Sequence, residues 1–167
     1  LITANSFTWA VAFISEDMLV PLKQVLADTK ISGTIITGSY LQFNSPKVFT
    51  ELMKIPNLTV KISNKPGFHA KGFLFNHVDY QTAIIGSANF TRSAMLANSE
   101  WCLKVSSTQN AGLTQQLQAE LNDLTKTATP LTTEWIDDYA QTWAKPQAQA
   151  PIITQEIKPN LMQKEAI

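Results

Sequence analysis

The stretches FHAKGFLF (68–75) and AIIGSANFTRSAMLANSEW (83–101) decide the fold of this chain. They carry an H-x-K pattern, a G-S-x-N pattern and a downstream carboxylate, contributed by His69 and Lys71, Ser87 and Asn89, and Glu100. Few reactions require an imidazole, an ammonium, a hydroxyl, an amide and a carboxylate together. Cleavage of a phosphodiester through a phosphohistidine is one that does, because histidine is an accepted covalent nucleophile.

The segment 68–75 is predicted to be a strand, in which alternate side chains share a face. This places His69 and Lys71 side by side, with Phe68, Ala70 and Leu74 on the opposite face. A second short strand is predicted over 81–86, where the apolar run AIIG ends in a turn at Gly86.

The G-S-x-N pattern continues directly from that turn. Ser87 and Asn89 are predicted to lie at the start of a short helix over 90–97, where free backbone N–H groups favour anions. Glu100 opens a further predicted strand over 100–106. The spacing therefore predicts that the polar side chains gather where strands begin and end.

Each polar residue type has a role in such a reaction. A histidine attacks through a neutral ring nitrogen, so its other nitrogen must carry a proton and be oriented, which a carboxylate partner does. Glu100 is the candidate for orienting His69. Lys71, Ser87 and Asn89 are predicted to bind the non-bridging phosphate oxygens and to stabilise charge in the transition state.

On these residues, the segment 68–101 resembles the phospholipase D superfamily, whose core motif is H-x-K-x4-D followed by G-S-x-N. The resemblance implies a mixed β-sheet flanked by helices on both faces, and a site that joins two motifs and requires no metal. One histidine becomes phosphorylated and the other protonates the leaving group. Because members with one motif per chain form homodimers, the resemblance implies a homodimer whose active site is shared across the two-fold axis.

The chain departs from the family pattern at one position. Asn76 stands where the family has its aspartate, and the nearest acid is Asp79. Nuclease-like members of the family often lack that aspartate, so the departure argues against a phospholipid hydrolase more than against a nuclease. It leaves open a degenerate site that only binds.

Three neighbouring residues have simpler interpretations. His77, in the segment NHVDYQ, is expected to be an exposed loop residue and not a second catalytic base. Arg92 is expected on a helix face, with a phosphate contact as the alternative. Thr91 is expected to support the start of the helix.

The remaining segments alternate between the two kinds of element. Further strands are predicted over 7–14, 34–40 and 58–63, and further helices over 17–29, 46–55, 109–126 and 132–144. Alternating strands and helices favour an α/β architecture with the sheet between helices.

Composition limits the possible environments and partners. The single cysteine, Cys102, cannot form an internal disulfide, which suits a reducing cytoplasm. No apolar run approaches the length of a membrane span. The net charge is zero, but residues 47–104 carry seven basic against three acidic side chains, net +4. This motif-bearing half is locally basic, as a DNA-backbone binder should be.

The carboxyl-terminal part predicts a larger context. Residues 1–144 form the predicted phospholipase D-like domain, and 145–167 a Pro- and Gln-rich linker followed by IKPNLMQKEAI. That segment resembles the one ahead of the phosphate-binding loop in superfamily 2 helicases of the DEAD/DEAH type, in which Gln163 would contact adenine. ATP and Mg would then belong only to the missing helicase part. An ordinary amphipathic helix is the alternative.

Two hypotheses follow for the function. The first is a metal-independent phosphodiesterase that cleaves DNA through a phosphohistidine, as the N-terminal part of a bacterial helicase of restriction or repair. The second is a catalytically inactive module that binds DNA or dimerises the helicase. Asn76 and the zero net charge favour the second hypothesis, and the complete set of five motif residues favours the first.

Overall fold

The protein is built around one mixed β-sheet. A computed structural model describes residues 1, 3–108 and 111–143. In this part of the chain the strands are β1 (Ser6–Val11), β2 (Ser32–Thr37), β3 (Leu58–Ile62), β4 (Lys71–Asn76), β5 (Tyr80–Gly86), β6 (Cys102–Thr108) and β7 (Thr129–Pro130). Their order across the sheet is β6-β5-β4-β1-β2-β3-β7. The pairs β1–β2 and β2–β3 are parallel, and the other neighbouring pairs are antiparallel.

Helices cover both faces of the sheet, which confirms the predicted α/β class. They are α1 (Glu16–Asp28), α2 (Pro46–Met53), α3 (Arg92–Leu96), α4 (Gly112–Thr127) and α5 (Thr133–Trp143), with a short 3₁₀ turn at Tyr40–Gln42. None of the helices in the described ranges is long and apolar enough to cross a membrane.

The alternating side chains of β1 explain the two layers. Phe7, Trp9 and Val11 point to one face, where they pack with leucines of α1 and α2. Ala10 points to the other face, against α4. Large residues on one face and small ones on the other let helices of different bulk pack against the same strand, because close-packed interiors leave few voids.

Several element boundaries differ from the sequence-based predictions. β4 begins at Lys71 and not at residue 68, although the backbone N–H of Ala12 still donates to Ala70 O at 2.9 Å. β2 ends at Thr37, because Asn44 Nδ2 donates a hydrogen bond to Gly38 O at 2.9 Å and a loop begins there. The helix predicted over 90–97 spans only Arg92–Leu96.

Asn76 lies at the far end of β4 from the H-x-K motif. Its side chain donates to Ser6 Oγ at 3.1 Å and accepts from Gln81 Nε2 at 2.8 Å, so it joins β1, β4 and β5. Five residue steps along a strand separate it from Lys71, about 17 Å. The residue at the family's aspartate position therefore has a structural role in this chain.

His77 was expected to be exposed, and this expectation is wrong. It does lie in a turn, between β4 and β5, but only 9% of its surface is accessible. Its ring stacks on Tyr80 with a centroid distance of 4.1 Å, and its Nδ1 lies 2.9 Å from Thr3 O. These contacts anchor the amino terminus at the end of the sheet opposite to His69.

The domain boundary at 144 and the helicase-like segment with Gln163 lie outside the described residues. Both remain predictions from the sequence.

Ion pairing between α1 and α2 makes a testable contribution to acid stability. Glu51 pairs with Lys23 and Lys54, and hydrogen bonds from these two ammonium groups lower its pKa from an ordinary 4.5 to about 2. A carboxyl with a depressed folded-state pKa stabilises the protein above its unfolded pKa, and this contribution is lost as the pH falls through the folded value. We expect Glu51→Gln to flatten the decline in unfolding free energy between about pH 4.5 and 2, measured by urea denaturation.

A matched control is Glu120→Gln, which removes an exposed carboxylate of α4 that takes part in none of the ion pairs among the described residues. Acid profiles of the two variants that coincide would contradict a special contribution from Glu51.

Candidate active site

Phe13 is the point where three of the motif residues meet. It follows β1, the central strand of the sheet. Its ring lies 5.1 Å from the ring of His69, between centroids, and Lys71 Nζ lies 5.7 Å from the same Phe13 centroid. Its backbone N–H donates to Asn89 Oδ1 at 3.3 Å. The end of β1 therefore gathers the nucleophile candidate and two candidate phosphate ligands.

His69 lies in the extended segment just before β4 and is exposed. Lys71, the first residue of β4, shares its face as predicted, and its ammonium donates to His69 O at 2.9 Å. The ring of Tyr40 approaches the His69 ring edge-on, with a centroid distance of 5.9 Å. The imidazole thus stands at the sheet edge with aromatic neighbours and an open side.

The electrostatic environment of Lys71 contains two opposing effects. Burial lowers its pKa because it removes water from the charged form, and the nearby Glu100 carboxylate raises it. Burial is the larger effect, so the pKa of Lys71 lies below its ordinary value of 10.5. A partly desolvated ammonium is well placed to bind an anion.

Ser87 and Glu100 form one hydrogen-bonded unit. The Ser87 hydroxyl donates to Glu100 and accepts from the backbone N–H of Trp101 at 3.0 Å. Asn98 Nδ2 donates to the other carboxylate oxygen at 3.2 Å. The hydrogen bond from Ser87, then that from Asn98, and the charge of Lys71 together hold the pKa of Glu100 below its usual 4.5.

Gly86 permits this unit to form. A Cβ at position 86 would lie 2.1 Å from Trp101 O and 2.7 Å from the Cα of Cys102. A side chain there would push β5 away from the segment that carries Glu100. The glycine of the G-S-x-N motif is therefore required by the close approach of two backbones.

The loop after β5, which contains Asn89, is held by the backbone of the residues that follow β1. The N–H of Phe90 donates to Phe13 O at 3.1 Å, and the N–H of Ser15 donates to Phe90 O at 3.1 Å. These bonds fasten the loop to the end of β1, which explains why Asn89 reaches Phe13.

The predicted anion site at the start of the short helix is corrected by the structure. Ser87 and Asn89 lie before α3, in the loop. Thr91 caps the helix by accepting from Ala94 N at 3.3 Å, and Ser15 Oγ accepts from Arg92 N at 3.0 Å. Because these backbone donors already have partners, they are not free to bind phosphate. The expected role of Thr91 in starting the helix is confirmed.

The structure therefore brings the five motif residues to one end of the sheet. Lys71 is near Glu100 as well as His69, and Ser87 lies against Glu100. Within the described ranges, the hydrogen-bond donors found for Glu100 are Ser87 and Asn98, and no hydrogen bond joins it to His69. The orientation of His69 by Glu100 stays a prediction.

Sequence reasoning missed the aromatic and amide residues that support the site. They are Phe13, Tyr40, Phe43 and Asn44, which follow the parallel strands β1 and β2. The carboxyl ends of parallel strands meet at one sheet edge, where ligand sites of α/β proteins occur. That rule, applied to the first two predicted strands, could have found these residues.

The donor set of the site differs from that of a metal centre. Among the residues that the structure describes, no group of three or more His, Cys, Asp or Glu side chains is placed to hold a metal ion. Besides the imidazole, the titratable groups of the five motif residues are the ammonium of Lys71 and the carboxylate of Glu100, which interact electrostatically. This set suits an anion better than a cation.

These observations define an α/β domain in which H-x-K leads into one strand and G-S-x-N follows the next, so that both motifs lie at one end of the sheet. The chain belongs to the phospholipase D-like family, because the family model described as cardiolipin synthase, PLD-like domain, matches residues 5–125. All five motif residues lie within that span. No curated protein matches the chain significantly.

Two solved structures support the same fold. NucT from Helicobacter pylori has a TM-score of 0.59 and 22% identity, over 77% of this chain and 85% of its own. Nuc from Salmonella typhimurium, a phospholipase D family member, has a TM-score of 0.60 and 20% identity, over 77% of this chain and 84% of its own. At such identities the likeness establishes the fold alone.

The hydrogen bond between Ser87 and Glu100 can be tested directly. Because this bond is the largest cause of the low pKa of Glu100, we expect Ser87→Ala to raise that pKa towards its usual value. NMR titration of the side-chain carboxyl carbon in labelled protein measures the shift. Asn98→Ala serves as the graded control and should raise the pKa less. An unchanged titration in Ser87→Ala would show that the bond does not form in solution.

Proposed function

We propose that this domain is a phosphodiesterase that cleaves DNA through a phosphohistidine at His69, without a metal ion. The observation that carries the proposal is the convergence of His69, Lys71 and Asn89 on Phe13, with the Ser87–Glu100 unit beside Lys71. Membership of the phospholipase D-like family supports the same class of reaction.

The reaction would proceed in two displacements at phosphorus. A ring nitrogen of neutral His69 attacks, and the P–N bond forms as the bond to the leaving oxygen breaks with its electron pair. A second histidine gives its proton to that leaving oxygen. Water then attacks phosphorus and returns a proton to the second histidine, and the P–N bond breaks to release the phosphomonoester.

The other motif residues would act on the phosphate oxygens. Lys71 offers an ammonium with little competing water, and Asn89 and Ser87 offer an amide and a hydroxyl. Such fixed donors stabilise the charge of a transition state because they need no rearrangement as the reaction proceeds. Glu100, kept ionised by its low pKa, would orient the imidazole of the attacking histidine.

The structure of the far sheet end favours the active enzyme over the inactive module. Asn76 motivates the inactive alternative, yet its side chain is used by Ser6 and Gln81 about 17 Å from Lys71. An asparagine satisfies both of these hydrogen bonds, so the missing aspartate does not remove a group from the reaction centre.

A homodimer with a shared active site completes the mechanism. The sequence contains two histidines, and the second, His77, is at the opposite end of the sheet. The proton donor would therefore come from His69 of another copy. Edge strand β6 supports such a contact, since Trp101, which precedes it, and Leu103, which belongs to it, are 88% and 58% exposed. Exposed apolar patches of this kind mark interaction sites.

The wider setting is proposed from the sequence. We propose that the domain is the N-terminal part of a DNA helicase, with Gln163 at the adenine of ATP in the helicase portion. ATP and Mg would serve that portion alone. An exposed, unpaired Cys102 is compatible with a cytoplasmic location.

The proposed function predicts cleavage of DNA in the presence of EDTA. We expect His69→Ala to lower the rate by roughly 10³-fold or more, since removal of a nucleophile has effects of this size. Gel assays on single- and double-stranded substrates measure the rate. Alkaline quenching with labelled substrate, followed by mass spectrometry, should detect a DNA fragment joined to His69 through its terminal phosphate during turnover.

The matched control is His77→Gln, which removes the chain's other histidine. It should retain both cleavage and the covalent intermediate, with thermal unfolding measured to correct for lost packing on Tyr80. If the wild type binds DNA but does not cleave it, the inactive binding module is favoured instead.

The shared site predicts that dimerisation and activity are lost together. We expect wild type to have the mass of two chains in sedimentation analysis, and Trp101→Glu to become monomeric and inactive, because a charge would replace a large apolar contact. Val20→Glu is the control, since Val20 is 67% exposed on α1, away from β6. A fully active Trp101→Glu monomer would rule out the shared site.

A further inference from the structure

Two partly exposed aromatic rings stand beside the reaction centre without a part in its chemistry. Tyr40 is 38% exposed and 5.9 Å from the His69 ring, between centroids. Phe43 is 51% exposed and stacks on Phe13, with centroids 4.6 Å apart and planes 25° apart. Phe13 in turn is 5.1 Å from the His69 ring. Flat apolar surface therefore adjoins the imidazole.

The backbone that carries these rings adopts an unfavourable conformation. Leu41 and Gln42 have φ values of 55° and 51°, in the left-handed region that non-glycine residues rarely adopt. Strain of this kind persists only where the surroundings impose it, and it clusters at functional sites. The chain between Tyr40 and Phe43 is thus held in a bend that its own residues do not favour.

Contacts from the rest of the fold hold this bend in place. Trp143 Nε1 donates to Gln42 O at 2.9 Å, and Asn44 Nδ2 donates to Gly38 O at 2.9 Å. Tyr139 Oη donates to Asn44 O at 2.8 Å. Helix α5 therefore holds the turn through Tyr139 and Trp143, which pre-organises the rings of Tyr40 and Phe43.

A groove adjoins each of the two rings, and each groove is lined by one basic side chain. One, of about 310 Å³, runs between residues 38–40 and 63–68 and contains Lys65. The other, of about 570 Å³, is lined by Phe43 and Arg92, and also by Asp17, whose carboxylate accepts from the Ser15 hydroxyl. Lys65 and Arg92 are both exposed. Positive charge thus lies beyond each aromatic ring.

We propose that Tyr40 and Phe43 form a platform on which the unpaired bases flanking the scissile phosphate stack, so that the site selects single-stranded nucleic acid. Lys65 and Arg92 contact the backbone phosphates on either side. The inference rests on the proposed function, because the phosphate at His69 determines which bases reach the rings.

The physical reason for the selection is the availability of base faces. Stacking on aromatic side chains is favourable for every base and so tolerates any sequence. In a duplex, both faces of each base are already stacked on neighbouring bases, and the rings of Tyr40 and Phe43 have nothing to cover. A phosphate held by Lys71 also brings its neighbouring bases close, since one sugar separates a base from its backbone.

Binding measurements in a His69→Ala background test this platform without turnover. Fluorescence anisotropy would compare a short single strand, an abasic strand of equal length and the corresponding duplex. We expect the normal single strand to bind most tightly. Tyr40→Leu and Phe43→Leu should each weaken its binding by about 5- to 100-fold, the effect of one lost stacked base, and leave the abasic strand unchanged.

Tyr40→Phe is the matched control, since it keeps the ring and should retain the binding of wild type. Equal affinity for the normal and abasic strands, or tighter binding of the duplex, would overturn the platform. If the base-dependent pattern holds but the enzyme with His69 cleaves no substrate, the platform stands and the proposed catalysis fails. If the enzyme cleaves DNA but Tyr40→Leu and Phe43→Leu leave its strand preference unchanged, the proposed catalysis stands and the platform fails.

Discussion

The side-chain amide of Asn44 is the constraint on which the site depends. Its Oδ1 accepts from Ile14 N at 2.7 Å and its Nδ2 donates to Ala12 O at 2.8 Å, so one amide holds the backbone on both sides of Phe13. The same Nδ2 donates to Gly38 O and ends β2. Asn44 is 1% exposed, so its amide contacts these backbone groups out of reach of bulk water. Removal of the amide would leave buried polar atoms unpaired. The surroundings of His69 are thus held in place by a buried residue outside the H-x-K and G-S-x-N motifs.

The charges of Lys71 and Glu100 favour binding of an anion at this site. Burial lowers the pKa of Lys71 more than the Glu100 carboxylate raises it, so the pKa lies below its ordinary value. Glu100 meanwhile directs its carboxylate to Ser87 and Asn98, which keeps it ionised without neutralising the lysine through a direct salt bridge. A phosphate oxygen beside Lys71 would restore the missing interaction.

The sequence predicted the sheet, its helices and the gathering of the motif residues, because alternation and motif spacing are local properties. The failures occur where a tertiary contact overrides the local pattern. FHAKGFLF alternates like a strand from residue 68, yet pairing as β4 starts only at Lys71. The segment after Thr37 looks extended, but Asn44 and Trp143 bend it. His77 looks like a polar loop residue and is buried by Tyr80 and the amino terminus. No pattern within one segment reports such partners.

The order of the motifs along the chain follows from the topology of the sheet. β1 leads into Phe13 at the site, and β4, antiparallel to it, begins there at Lys71, two residues after His69. β5 returns to the same edge and ends at Gly86, next to Ser87, and β6 leaves it again at Cys102, two residues after Glu100. An antiparallel meander must alternate its ends in this way, so residues before β4, after β5 and before β6 share one edge. By the same alternation, the last residue of β4, Asn76, falls at the opposite edge. In this chain the motif position at Asn76 therefore joins β4 to Ser6 and Gln81, while the other motif residues lie at the opposite end of the same strand.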